Sequence, residues 1–206
     1  MSELQLTTQE LQASYGIGLQ MGEQLKAQPF EGLDISAVAG GIADAFAGAE
    51  SQVSQQDLQE AFQTISARMQ ATAAEQAKVL GAAGAEFLAI NAAKEGVTVT
   101  ESGLQFEVIA MGEGEKPTAE STVSVHYHGS LIDGTVFDSS VERGQPAEFP
   151  VGGVIAGWTE ALQLMPVGSK FKLAIPSDLA YGERGAGAAI GPHSTLVFEV
   201  ELLAIK

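Results

Sequence analysis

Apolar positions follow a helical period up to about residue 95 and an alternating one after residue 100. Thr7 with Glu10 three residues later has the form of a capping box, and Leu11, Tyr15, Gly18, Gly22 and Leu25 then recur at spacings of four and three. This predicts an amphipathic helix of roughly five turns. Pro29 and Gly32 break it, Asp34 or Ser36 caps a second short helix, and Ile35, Val38, Ile42 and Phe46 form its apolar side before Gly48. Ser54 with Asp57 opens a third segment that meets no proline before Glu95. Leu58, Phe62, Ile65 and Met69 make a stripe that fades into an Ala-rich run. If residues 54–95 are helical throughout, they reach roughly 63 Å at 1.5 Å each, more than a small domain is wide, so a spacer is expected there rather than a core element. Gly81 and Gly84 weaken this helix by up to about 1 kcal/mol each and leave a bend near them open.

After residue 100, Leu104, Phe106 and Val108 alternate with polar neighbours, as do Phe171, Leu173 and Ile175, and then Leu196, Phe198, Val200 and Leu202. These are half-buried strands. Thr122–Gly129 is another, Asp133-Gly134 is a hairpin turn, and the stretch between Gly157 and Pro166 is the one convincing helix of this half. The fold class expected is α+β, with an all-helical domain over 1–53, a long linking helix over 54–95, and over 96–206 an antiparallel half-barrel sheet wrapped around one short helix.

Composition sharpens this division. Residues 1–100 hold one of the seven prolines and residues 101–206 the other six. Charge does not separate the halves: the net charge of -16 divides into -8 and -8, with 4 basic and 12 acidic residues in the first and 6 and 14 in the second. Such acidity argues against a nucleic-acid or anionic-membrane partner. With no cysteine, thiol catalysis, disulfides and Cys-based metal sites are excluded. No apolar run of about 18 residues is present. The first ten residues lack the basic start and apolar stretch of a secretory signal, so a cytoplasmic location is expected.

Several patterns resemble chemistry and do not carry it. Gly16, Gly18 and Gly22 have the wrong spacing for a dinucleotide loop and follow no strand, so they point to close helix packing and self-association. Gly182, Gly185 and Gly187 lie in a glycine-rich loop with no Gly-Lys-Ser/Thr sequence after it. His126 and His128, two apart on a strand, share a face, but a third ligand is hard to find, and an outward-facing surface pair is expected with no metal. The same alternation turns Tyr127 inward. No nucleophile elbow occurs. What stands out is a set of aromatic and aliphatic residues beside Gly/Pro-rich turns. These belong either to an ordinary core or to a ligand cup. Favouring the cup are two tyrosine hydroxyls that a core would have to satisfy (Tyr127, Tyr181), Asp138 with Arg143 five residues on, and Trp158 at a helix start.

At these residues the sequence resembles a known family. VHYHGSLIDGTVFDSS, FPVGGVIAGWTEALQLMPVGSK and LAYGERGAGAAIGPHSTLVFEVELL are similar to the FKBP-type peptidyl-prolyl cis-trans isomerases across residues 101–206. ASYGIGLQMGEQL and the long helix resemble the Mip-like branch, whose members form V-shaped homodimers through N-terminal helices. The resemblance implies catalytic roles for Tyr127, Phe137, Asp138, Trp158, Tyr181 and Phe198, and substrate contacts from Arg143, Phe149, Val154, Ile155 and Ile190. Trp158 would form the pocket floor, and the Ile155 N–H would anchor a ligand carbonyl. Ala147, where several members carry an aromatic residue, and Gly191-Pro192, in place of a frequent Pro-Pro, depart from the pattern at the rim.

The activity implied is isomerisation of X-Pro bonds in unfolded or partly folded proteins, without a cofactor. Dimerisation and client holding fall to the helices, and macrolides of the tacrolimus and rapamycin type are possible inhibitors. The rival is a holdase or protein-binding module with little turnover.

Overall fold

A computed structural model describes residues 5–27 and 29–206. Three helices open the chain: α1 (Gln9–Ala27), α2 (Ile35–Ala47) and α3 (Gln55–Ala92). Their ends follow capping chemistry. The Leu11 N–H donates to Thr8 Oγ1 at 3.3 Å, so the cap of α1 is Thr8, one residue beyond the expected Thr7. At α2, Asp34 is the cap, accepting from the Ser36 and Ala37 N–H groups at 2.6 and 3.1 Å, and Gly48 closes the helix at φ 65°. Ser54 and Asp57 bond reciprocally at the start of α3, with Asp57 N–H to Ser54 Oγ at 3.1 Å and Ser54 Oγ–H to Asp57 Oδ2 at 2.7 Å.

The chain divides into two compact units, residues 1–71 and 72–206, the division falling within the sequence of α3. In the first unit no described residue of α1 or α2 is buried, and Ile17, Phe46 and Phe62 are 61%, 94% and 72% exposed.

The second unit holds seven antiparallel strands: β1 (Val97–Val99), β2 (Gln105–Ala110), β3 (Thr122–Leu131), β4 (Val136–Ser139), β5 (Ala147–Pro150), β6 (Lys170–Ile175) and β7 (Leu196–Ile205). They order as β1-β2-β6-β7-β3-β4, with β5 also on β3, and the sheet does not close into a barrel. One face covers α4 (Ala156–Leu164), whose Trp158, Ala161 and Leu162 pack into a core with Leu104, Val125 and Phe171. Gly157 permits that approach, since a Cβ there would lie 2.5 Å from Ile175 Cγ2.

The second half of α3 belongs to this unit, which corrects the expectation of a spacer over all of 54–95. Gly84 is buried, and a Cβ on it would lie 2.5 Å from Thr195 Oγ1. The buried Gln105 is tied to the helix twice, donating to Leu88 O at 2.9 Å and accepting from Asn91 Nδ2 at 3.0 Å. The helix continues unbroken through Gly81 and Gly84, and of the two it is Gly84 that a close approach requires. It ends at Ala92, ahead of Gly96 at φ 85°.

Candidate active site

Strand pairing sets the first part of the site. Gly129 on β3 faces Phe198 on β7 and Asp138 on β4, so Tyr127, two residues before Gly129, is the diagonal neighbour of Asp138. The register between β3 and β4 shifts past Gly129, with Ser130 facing Val136. That bulge lets the consecutive residues Phe137 and Asp138 line the same hollow, which strict alternation forbids. Strand β5 contributes Phe149, the turn before α4 contributes Gly153, Val154 and Ile155, the first turn of α4 contributes Trp158, and Tyr181 stands at the rim.

Together these residues enclose a cavity of about 460 Å³. Its floor is Trp158, met edge-to-face by Tyr127 (5.3 Å between centroids), Phe149 (5.8 Å) and Phe198 (5.3 Å). Phe137 stands edge-on to Phe198 at 5.5 Å. Edge-to-face pairs of this kind add about 0.5–1.5 kcal/mol each beyond area burial, and they set the ring angles. The Trp158 indole N–H is buried without a hydrogen-bond partner among the described residues, so ring packing holds the indole in place.

The polar side of the cup is a three-residue network. The Tyr127 hydroxyl donates to Asp138 Oδ2 and accepts from Arg143 Nη2 at 2.9 Å, while Arg143 Nη1 donates to Asp138 Oδ1. Arg143 also stands 5.6 Å from the Tyr127 ring centroid. Burial opposes ionisation of Asp138, but hydrogen bonds from Tyr127 and Arg143 and the Arg143 charge outweigh it and hold the carboxyl below its ordinary range. Burial, reinforced by Asp138, pushes the Tyr127 phenol up. The carboxylate is ionised at neutral pH and the phenol is protonated. Both are fixed dipoles aimed along the cup wall.

Of the eleven residues singled out from the sequence, nine line the cavity. Arg143 stands behind the wall and reaches it through Asp138 and Tyr127. Ile190 is a buried core residue, held in the loop after Tyr181 by paired backbone bonds with Ala186 at 2.8 and 3.1 Å. Two residues escaped the sequence reading. Gly153 lines the cavity, and Gly129 lies beneath it: a Cβ there would sit 2.7 Å from Phe198 Cε1 and 2.8 Å from Phe137 Cε2. Neither glycine carries a side-chain signal, and only the strand register reveals the close approach.

His126 and His128 do share a face, but they are half-buried, each within 3.1 Å of a serine hydroxyl (Ser140 and Ser139), rather than freely outward-facing. No group of three metal-ligating side chains occurs among the described residues.

Residues 113–203 match the family profile of the FKBP-type peptidyl-prolyl cis-trans isomerase, and residues 10–108 that of the domain amino terminal to it. The chain is 59% identical to the FKBP-type 22 kDa peptidyl-prolyl cis-trans isomerase of Escherichia coli strain K12, over 96% of each chain. It is 42% identical to the outer membrane protein MIP of Legionella longbeachae, over 98% of this chain and 88% of that one. Among solved structures, the crystal structure of FkpA from Escherichia coli matches with a TM-score of 0.69 and 39% identity, covering 97% of this chain and 98% of that one.

Proposed function

The chain belongs to the FKBP-type peptidyl-prolyl cis-trans isomerase family, and we propose that it turns the X-Pro bond in the cup around Trp158 while its N-terminal helices pair two copies and hold clients. Its activity is the cis-trans isomerisation of X-Pro bonds in proline-containing proteins. Rotation about a peptide bond faces a barrier of about 18–20 kcal/mol, because resonance keeps it planar. No covalent bond has to break. The twisted imide has lost that resonance and part of its dipole, so an apolar cup disfavours the planar ground state relative to the twisted one.

Trp158 and its three edge-on rings supply that environment. The Ile155 N–H, at the entrance to α4, has no hydrogen-bond partner among the described residues and can hold the carbonyl that precedes the proline. Asp138, clamped by Tyr127 and Arg143, orients the twisting imide as a fixed dipole and carries no proton.

The observation that carries this reading is the cup itself, an aromatic hollow with a single clamped carboxylate in its wall. The test is acceleration of cis-trans exchange in a short X-Pro peptide by the full chain, by Trp158→Ala and by Asp138→Asn. If both variants turned the peptide over at the wild-type rate, the cup would not be the site. Macrolides of the tacrolimus and rapamycin type fit the same hollow in this reading, and competition with the peptide checks it.

Dimerisation and client holding rest on the first unit. A Cβ on Gly16, Gly18 or Gly22 would meet nothing within 4 Å among the described residues, which leaves the glycine face of α1 open to a partner in this reading. Apolar side chains on α1 and α2 are likewise exposed. Light scattering on the full chain is expected to give a dimer; a monomer would remove the pairing. Refolding of a proline-limited protein is expected to slow when residues 1–71 are removed, and unchanged refolding would remove the holding role.

A further inference from the structure

The histidine pair on β3 lines no part of the cup, yet its contacts lead to Tyr127. Pairing between β3 and β4 runs from Ser130 to His128, which faces Ser139. The next pair in that register would set Tyr127 against Ser140, and β4 ends one residue short of it. Ser140 completes the pair by two different bonds. Its N–H donates to Tyr127 O at 3.0 Å, and its hydroxyl oxygen accepts the Tyr127 N–H at 2.8 Å. Both main-chain polar groups of the buried Tyr127 therefore meet one residue, itself fully buried.

The same segment holds the far end of that tyrosine. Asp138, two residues before Ser140, accepts from the Tyr127 hydroxyl, and Arg143, three residues after, donates to it. Ser139 closes the turn that brings Arg143 back to Asp138: its hydroxyl accepts the Glu142 N–H at 3.2 Å and its carbonyl the Arg143 N–H at 3.3 Å. Tyr127 is thus fastened at backbone and at hydroxyl by residues 138–143. Behind the backbone grip stands His126, with Nδ1 3.1 Å from Ser140 Oγ. A serine hydroxyl has one proton to give. Ser140 Oγ already accepts from Tyr127, and the nearer acceptor for its proton is His126 Nδ1, ahead of Tyr127 O at 3.3 Å. With His126 as acceptor, the bonds run in one direction from Tyr127 N–H through Ser140 Oγ–H to the imidazole, and each polarises the next.

We propose that Ser140 and His126 are positioning residues for the isomerisation. They fix the main chain of Tyr127 so that its hydroxyl keeps Asp138 aimed along the cup wall, and His126 acts through Ser140 by accepting its proton. The imidazole N–H is then on Nε2. The inference rests on the cup being the catalytic site.

The test measures kcat and KM for an X-Pro peptide with the full chain, alongside unfolding in urea. Ser140→Ala is expected to lower kcat about fivefold, the scale of one hydrogen bond, and to change KM less than about twofold, because the rings that receive the proline stay in place. His126→Phe, at a half-buried position, keeps a ring and loses Nδ1, so a loss in kcat of about threefold is expected. His126→Asn, which can place an acceptor near the position of Nδ1, is expected to recover most of that loss. The decisive readout is a double-mutant cycle with Asp138→Asn. If Ser140 works through Tyr127 and Asp138, adding Ser140→Ala to Asp138→Asn costs little more. A combined loss equal to the product of the two single losses would overturn the proposal, since Ser140 would then support only the fold. Equal kcat for the wild-type chain, Ser140→Ala and His126→Phe would overturn it as well and leave the cup untouched. Turnover indifferent to both Trp158→Ala and Asp138→Asn would instead remove the cup, and this inference with it.

Discussion

Residues 1–71 and residues 72–206 both carry many apolar side chains, and they use them in opposite ways. The second unit packs Val125, Phe171, Leu173 and Leu202 between sheet and helix until almost nothing of them meets solvent. The first has well-capped helices and no buried residue on α1 or α2. Caps contribute about 1 kcal/mol each, whereas most of the stability of a helix in a protein comes from packing an apolar face. The first unit is therefore locally well specified and tertiary-poor. In the second unit a large apolar core is covered, although Ile90, Ile109, Met111 and Val141 stay exposed. The same kind of residue is left exposed in one unit and lines a buried core and a cavity in the other.

The sharpest way to break this comparison is to separate the units. A fragment of residues 72–206 is expected to lose self-association completely by light scattering while keeping peptide turnover. A cut at residue 101 is expected to fare worse, because it strips Gly84, Leu88 and Asn91 from Thr195 and Gln105. Loss of those contacts lowers the unfolding midpoint of the shorter fragment in urea; equal midpoints would return α3 to the role of a spacer.

Within the second unit, Trp158→Ala is expected to lower kcat/KM for the peptide about 100-fold, the equivalent of about 3 kcal/mol of lost transition-state contact, and to leave the light-scattering mass of the full chain unchanged. Asp138→Asn keeps the shape and removes the charge, so a loss of about tenfold is expected, in line with one charge-assisted hydrogen bond. Gly129→Ala probes the close approach under the rings. Overpacking of this kind destabilises by about 1–3 kcal/mol, read by urea unfolding, and the displaced Phe137 and Phe198 should raise KM.

The smallest expected effect is on pH dependence. The folded pKa of Asp138 is depressed, so its contribution to stability is fully present above the unfolded value near 3.9 and is lost as pH falls through the lower folded value. Asp138 should therefore add no slope to kcat/KM between about pH 5 and 8. A full on-off carboxylate titration in that window, with the fold intact by circular dichroism, would make Asp138 a proton carrier after all.

Much of the molecule was legible before the structure. The switch from helical to alternating period locates the division between helices and strands, and Asp34 or Ser36, then Ser54 with Asp57, mark helix starts because capping is a local exchange of hydrogen bonds; backbone geometry selects Asp34. The capping-box pattern points to Thr7, one residue before the actual cap, because Thr7 and Thr8 are adjacent and equivalent as side chains; only backbone geometry separates them. Nine cup residues were named through the resemblance, although alternation alone would have sent either Phe137 or Asp138 to the wrong face.

What the chain determines by itself is therefore what depends on neighbours in sequence: periodicity, caps, turns, charge balance and the absence of any thiol. Pairing in space decided the rest. The β-bulge that turns Phe137 and Asp138 to one side, the glycine beneath Phe198, and the docking of half of α3 through Gly84 and Gln105 all join residues far apart in the chain. No local pattern encodes such contacts, because their free energy exists only once sheet and helix have come together.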